Sequence, residues 1–215
     1  MADETMARRR VGYTDEVRRL LDAALGVMAR NGTRSRARVA DIVAGAGLSN
    51  EAFYRHFSSK DALVSALLED GAERLRSYLA HQMDKERDAA GQVRRWVHGV
   101  MAQADEKIAA TTLAVLWNAG ADAQGLASGR HFASAPLATL LHDPLAALGS
   151  RSPGIDATLA AHGVLGKLSD HLWQGTGPGA RELTAIVDFC LAAGRAGGGR
   201  GREGQRNPAG SPPLL

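Results

Sequence analysis

Residues 38–60, RVADIVAGAGLSNEAFYRHFSSK, read as two short helices joined by a glycine turn. Ile42 and Val43 supply the inner face of the first helix. Gly47 then stands where the backbone must adopt a positive φ, which any residue with a Cβ resists. Leu48 fills the corner, and Ser49 follows as an N-cap whose hydroxyl accepts from the free N–H groups of the next turn. The second helix runs from Asn50 to about Phe57. The whole stretch, about 37–57, has the form of a helix-turn-helix.

Spacing orients the second helix. At about 100° per residue, Phe53 and Phe57 nearly superpose and face inward, which turns Glu51, Ala52 and Arg55 outward and sets Tyr54 and His56 beside that outer face. Two phenyl anchors below, with polar, cationic and phenolic groups above, suit the major groove of DNA. The charge distribution agrees. Between residues 30 and 60, Arg30, Arg34, Arg36, Arg38, Arg55 and Lys60 stand against Asp41 and Glu51, six cations to two acids and a local net of +4. That is the footprint of a site for a polyanion. From 76 to 193 the balance is near neutral, which argues against nucleic acid there.

Working outward, Val17, Leu20, Leu21, Ala24, Leu25 and Met28 repeat at amphipathic-helix spacing up to Asn31 and Gly32, a helix that buttresses the motif. Before it, residues 1–11 form a polar, flexible arm with Arg8, Arg9 and Arg10, either solvated or reaching neighbouring DNA. After the motif, Leu63, Leu67, Leu75, Tyr78 and Leu79 fit one long helix from about Lys60 to His81, with Gly71 as a weak point. Five more helical segments follow, near 90–104, 107–119, 132–148, 156–173 and 180–193. Pro136 and Pro144 are expected to bend or split the third of these. The Gly-, Pro- and Arg-rich tail, 194–215, has too few apolar residues for fixed structure. With no sustained period-2 run anywhere, the fold class is all-α.

The fragments LLDAALGVMARNG, RVADIVAGAGLS and NEAFYRHFSSKDAL together resemble the N-terminal domain of the TetR family of bacterial transcriptional regulators, over about residues 14–74. The most specific piece is AFYRHFSSKDAL, similar without a gap to that family's recognition helix and the start of its fourth helix. The resemblance implies about nine helices. An N-terminal three-helix helix-turn-helix domain, 12–59, is followed by a helical effector-binding and dimerisation domain, 60–193. It matches Tyr54, His56 and Lys60 to positions that grip phosphates, and Asn50, Glu51 and Ala52 to those nearest the bases, with Ser49 and Arg55 also among the DNA-binding candidates. Two departures stand out. Ala37, Arg38, Val39 and Ala40 occupy the usual place of a Thr pair and an Arg, so that Arg36 or Arg38 would supply those phosphate contacts. Glu51 replaces a frequent glycine, and a carboxylate there accepts from a cytosine amino group or repels phosphate.

The same resemblance implies a homodimer on a double-stranded operator, released by a small-molecule effector. Leu165, Leu168 and Leu172 form one apolar stripe, and Leu183, Ile186, Val187, Cys190 and Leu191 another. Paired across a two-fold axis they would give a four-helix bundle, and otherwise they face their own core. Trp96, Met101, Trp117, Phe132, Leu141 and His171 are candidates to line an effector pocket or simply to fill the core.

Other classes find less support. The chain has no HExxH, no nucleophile elbow and no glycine-rich phosphate loop after a strand, so an enzyme is not expected. The pairs His142–Asp143 and Asp170–His171 are sequence neighbours whose side chains point about 100° apart on a helix. Neither a cofactor nor a metal site is expected. Cys190, the only cysteine, excludes an intrachain disulfide and suits a reducing cytoplasm. The longest uncharged run, 108–121, is short of the roughly 20 residues of a membrane span. The alternative reading is a helical interaction module whose helix-turn-helix no longer binds DNA, with Ala40 and Glu51 as the features that would permit it.

Overall fold

The computed structural model describes the backbone of residues 2–119 and 123–195 and the side chains of residues 14–119 and 134–194. Among the described residues it is all-helical: α1 (Ala2–Asn31), α2 (Val39–Ala46), α3 (Asn50–His56), α4 (Lys60–Met83), α5 (Ala89–Met101), a 3-10 turn (Ala102–Ala104), α6 (Glu106–Asn118), α7 (Ala123–Ala147), α8 (Pro153–Gln174) and α9 (Ala180–Arg195). Side-chain caps begin several of these where the sequence allows. Ser59 Oγ accepts from the Ala62 N–H at 3.1 Å to start α4, and Asp88 Oδ1 accepts from Gly91 N–H at 2.7 Å to start α5.

Two apolar clusters organise the chain. The first joins Leu20, Ala24, Val27 and Met28 of α1 to Ile42 and Val43 of α2, to Phe53 and Phe57, and to Leu63, Val64 and Leu67 of α4. It also takes in Ala114 and Val115 from the end of α6, so the core under the helix-turn-helix is completed by a distant part of the chain. The second cluster gathers Leu79 and Met83 of α4, Val93, Trp96, Val97 and Val100 of α5, Leu137, Leu141 and Leu145 of α7, Val164, Leu168 and Leu172 of α8, and Ile186, Val187, Cys190 and Leu191 of α9. At about 1.5–3 kcal/mol for each large apolar side chain fully buried, these clusters supply the main favourable term in folding.

Three expectations change. Helix α1 starts at Ala2 and includes the segment read as a flexible arm; the side chains of Arg8, Arg9 and Arg10, like the whole of 196–215, lie outside the described residues. Helix α4 runs unbroken through Gly71 as far as Met83. Helix α7 is continuous across both Pro136 and Pro144 and begins at Ala123, within a stretch read as a loop. An interior proline costs about 3 kcal/mol, but α7 buries Leu137, Leu141 and Leu145 against α4, α5 and α8, an effect of similar total size. The Trp96 indole N–H adds a buried hydrogen bond to the Leu137 carbonyl at 3.0 Å. Tertiary packing overrides the local breaker.

Candidate nucleic-acid interface

The turn of the motif is fixed by three kinds of contact. Gly47 sits at φ 62°, ψ 40°, and its N–H bonds to the Ala44 carbonyl while the Leu48 N–H reaches the Val43 carbonyl at 2.9 Å. This is a Schellman closure, which needs the left-handed residue that only glycine adopts cheaply. Arg19 of α1 then donates through Nη2 to the Ala46 and Gly47 carbonyls at 2.5 and 3.2 Å, capping the end of α2 from outside the motif. Ser49, at φ −93° and ψ 162°, accepts from the Ala52 N–H at 3.1 Å and starts α3. Its hydroxyl is committed to the cap.

Helix α3 presents a narrower outer arc than the sequence suggests. Asn50, Glu51, Tyr54 and Arg55 are exposed, Tyr54 to 59%. Ala52, expected to face outward, is buried at 5% exposure, and the side chain of His56, expected beside the outer face, is only 1% exposed. Both corrections have one cause. Residues 52 and 56 are a helical turn apart and lie next to the 53/57 pair, so a short helix packed on both α1 and α2 buries two adjacent stripes. Phe53 is fully enclosed, with Tyr54 edge-on at 5.2 Å and Phe57 tilted at 5.8 Å between ring centroids.

Around this arc, Arg36 is exposed in the loop before α2, and Lys60 stands half-buried as the first residue of α4. Arg38, N-terminal to α2, is exposed but engaged: its Nε and Nη2 donate to the two oxygens of Asp41 at 3.0 and 3.2 Å, which holds the Asp41 carboxyl below the usual range. Such an exposed pair is weak and exchangeable for a phosphate.

Glu16 of α1, not singled out in the sequence, proves central. Its Oε2 lies 2.6 Å from His56 Nε2 and 3.1 Å from Arg55 Nη2. The hydrogen bond with His56, reinforced by the charges of Arg55, His56 and Arg19, holds the Glu16 carboxyl below the usual carboxylate range. A carboxyl lowered on folding contributes stability at pH values above the ordinary carboxylate range and loses it as pH falls through the lowered value. The thermal midpoint of the native chain is therefore expected to drop faster in acid than that of a Glu16→Gln variant. Parallel midpoint-against-pH curves for the two proteins would refute the coupling. Only a charge pattern some forty residues apart could have signalled this contact, and sequence spacing holds no such information.

The candidates of the second half fall into two groups. Trp96, Met101 and Leu141 meet in the buried core. Trp117 lies at the surface, 39% exposed, with its ring 6.5 Å from that of Trp173, and the side chain of Phe132 is outside the described residues. His171 is buried between Thr176, 2.9 Å from Nδ1, and Glu182, 3.0 Å from Nε2. Lys167 Nζ binds the other Glu182 oxygen at 3.0 Å, which holds that carboxyl below its usual range and ties α8 to α9. Asp170 pairs weakly with Lys167 at 3.6 Å, not with His171, whereas His142 Nδ1 and Asp143 Oδ1 do meet, at 2.8 Å on the surface. Among the described residues, no group of acidic, histidine or cysteine side chains could hold a metal, and no helix is long and apolar enough to cross a membrane.

Of the two alternatives for the apolar stripes of α8 and α9, packing into the protomer's own core accounts for most of their residues. Leu168, Leu172, Ile186, Val187 and Cys190 are buried within the protomer, with Leu165 and Leu183 packed against them, and burial pushes the Cys190 thiol up to about 12. The opposite faces of the same helices carry the exposed apolar groups: Ile155 at 64% and Leu159 at 61% on α8, and Phe189 at 55% on α9. The Phe189 ring lies over Gly163, where an added Cβ would come within 3.3 Å of it.

Residues 20–67 match the model of the bacterial regulatory proteins of the tetR family. No curated protein matches the chain. Solved structures share the fold at low identity. The transcriptional regulator FadR from Bacillus subtilis, in complex with stearoyl-CoA, is 18% identical with a TM-score of 0.57, covering 83% of this chain and 97% of that one. RolR in complex with resorcinol is 15% identical with a TM-score of 0.63, covering 91% and 98%. A TetR-like transcriptional regulator from Rhodococcus sp. RHA1 is 19% identical with a TM-score of 0.54, covering 85% and 94%. The capped glycine turn and the aromatic-anchored third helix of this chain lie within the matched residues 20–67, which identifies that segment as a helix-turn-helix of the tetR family of bacterial regulatory proteins.

Proposed function

We propose that the chain is a dimeric, sequence-specific DNA-binding transcriptional regulator, a repressor released from its operator by a small organic effector and acting in the cytoplasm. The observation that carries this reading is the outer arc of α3: Asn50, Glu51, Tyr54 and Arg55 project from a helix that Phe53, Phe57, Ala52 and His56 lock to the domain beneath. Asn50 and Glu51 begin that helix and are suited to base edges, while Tyr54, Lys60, Arg36 and Arg38 flank it and are suited to phosphates. Residues 12–59 serve as the reading domain and 60–193 as the effector and dimerisation domain, joined through α4 and the end of α6.

One such helix reads only a short site, so two must be paired. Ile155 and Leu159 of α8 with Phe189 of α9 form the apolar face best suited to a second copy, because unpaired large apolar groups clustered on one surface mark association sites. The effector class follows from analogy: FadR and RolR were solved with an acyl-CoA and a phenol, and a molecule of that kind would act from the core around Trp96, Met101 and Leu141.

The test is a mobility-shift assay on the DNA upstream of the chain's own coding region, with the full chain and a Leu159→Glu variant. The native protein is expected to sediment as a dimer and shift the probe with a steep salt dependence, falling by about 0.9 log units per log unit of salt for each ion pair. Leu159→Glu is expected to sediment as a monomer and bind far more weakly. A native protein that shifts no probe at low salt would leave an interaction module as the better reading, and a variant that stays dimeric would refute the assigned interface.

A further inference from the structure

We infer that Glu16 is a positioning residue for DNA reading, holding the Arg55 guanidinium on the outer arc of α3 so that Arg55 reads a guanine; the inference rests on the DNA-binding function proposed above. Three observations support it. Glu16 Oε2 is 3.1 Å from Arg55 Nη2, while Arg55 itself remains 58% exposed on the same arc as Asn50, Glu51 and Tyr54. The same oxygen lies 2.6 Å from the buried His56, which anchors the carboxylate from below. And Glu16 comes from α1, a full helix packed on both α2 and α3, so its position is set by the domain core and not by the short recognition helix.

The chemistry selects a base over a phosphate. A carboxylate beside a DNA-facing surface is unfavourable for a polyanion, and pairing it with Arg55 removes much of the net charge that makes an arginine useful to a phosphate. Hydrogen bonding to a base edge depends instead on direction. The guanidinium is a planar fork of five donors, and the contact to Glu16 uses one nitrogen, narrowing the orientations of the group while leaving the remaining donors for a base. A fork restrained in this way matches the O6 and N7 acceptors of guanine in the major groove and loses less side-chain freedom on binding.

The test is selection from random double-stranded DNA by the full chain and by its Arg55→Ala, Glu16→Gln and Glu16→Ala variants, with sequencing of the bound pools and the salt dependence of binding to the native site. The native protein is expected to select a motif containing a G·C pair whose preference Arg55→Ala flattens by about tenfold or more. Both Glu16 variants should flatten that same position, in part or fully, and leave the other positions of the motif intact. A selected motif unchanged in the Glu16 variants would overturn the inference while leaving the DNA-binding function standing. So would an Arg55→Ala effect that is uniform across sequences with a shallower salt slope, which is the signature of a phosphate contact. Because Arg55 is exposed, its replacement keeps the inference testable even if the Glu16 variants fail to fold. A native protein that selects no motif would remove both the inference and the function beneath it.

Discussion

Replacing Phe53 with alanine is expected to unfold the helix-turn-helix domain or leave it barely stable. The ring is fully enclosed in a core cluster with residues from α1, α2 and α4, and the ring of Tyr54 lies edge-on to it. Truncating a buried Phe to Ala costs about 3–5 kcal/mol, from the lost transfer energy and the cavity left behind. A domain of this size has about 5–15 kcal/mol in total. The short helix carries little stability of its own, since seven residues fall below the length at which an isolated helix forms. Denaturant unfolding followed by circular dichroism should show an early transition absent from the native protein, and operator binding should vanish with it. A Phe53→Ala protein with the native midpoint would contradict the packing described.

The second large effect is expected at Asn118, the last residue of α6. Its side chain is fully buried; Oδ1 accepts from the Ala37 N–H at 2.8 Å and Nδ2 donates to the Ala114 carbonyl at 2.8 Å. Ala37 stands at the start of the helix-turn-helix, just before α2, and is itself 2% exposed, so bulk solvent does not reach its N–H in the native protein. Asn118→Ala leaves that buried N–H unsatisfied at a cost of about 1–3 kcal/mol, beyond the loss of the bond itself. The direct readout is hydrogen exchange at the Ala37 amide, which should accelerate strongly in the variant. Unchanged exchange there would show that the contact holds nothing. Because Ala114 and Val115 of the same helix enter the core beneath α1 and α2, the proposed release by an effector predicts that the variant also blunts that response, since packed elements transmit shifts between discrete arrangements.

The local features of the reading domain were legible because they depend on neighbours in sequence. Gly47 at positive φ, Ser49 as the cap and Phe53 with Phe57 as stacked anchors all follow from spacing and backbone sterics. So does the existence of most helices. What failed was the width of a buried face. Periodicity gives the direction of an apolar stripe, yet it does not say how many helices close over it. Helical spacing from Phe53 and Phe57 puts Ala52 on the outer face and His56 beside it, and packing on two partners covers them both.

The same ambiguity leaves two readings of α8 and α9 open in the sequence. Each helix carries apolar residues on two faces, and leucine-rich stripes are as consistent with a core as with an interface. Only the arrangement of α5 and α7 decided that Leu168, Leu172, Ile186 and Val187 point inward and that Ile155, Leu159 and Phe189 are left outside. Sequence by itself determined an all-helical chain with a helix-turn-helix near its start, because turn chemistry and the 3.6-residue period are local. The tertiary structure alone decided that Glu16 meets Arg55, that Arg19 caps the turn and that Asn118 grips Ala37, because each contact joins residues brought together by packing between distant helices, and no pattern along a chain records which helices will touch.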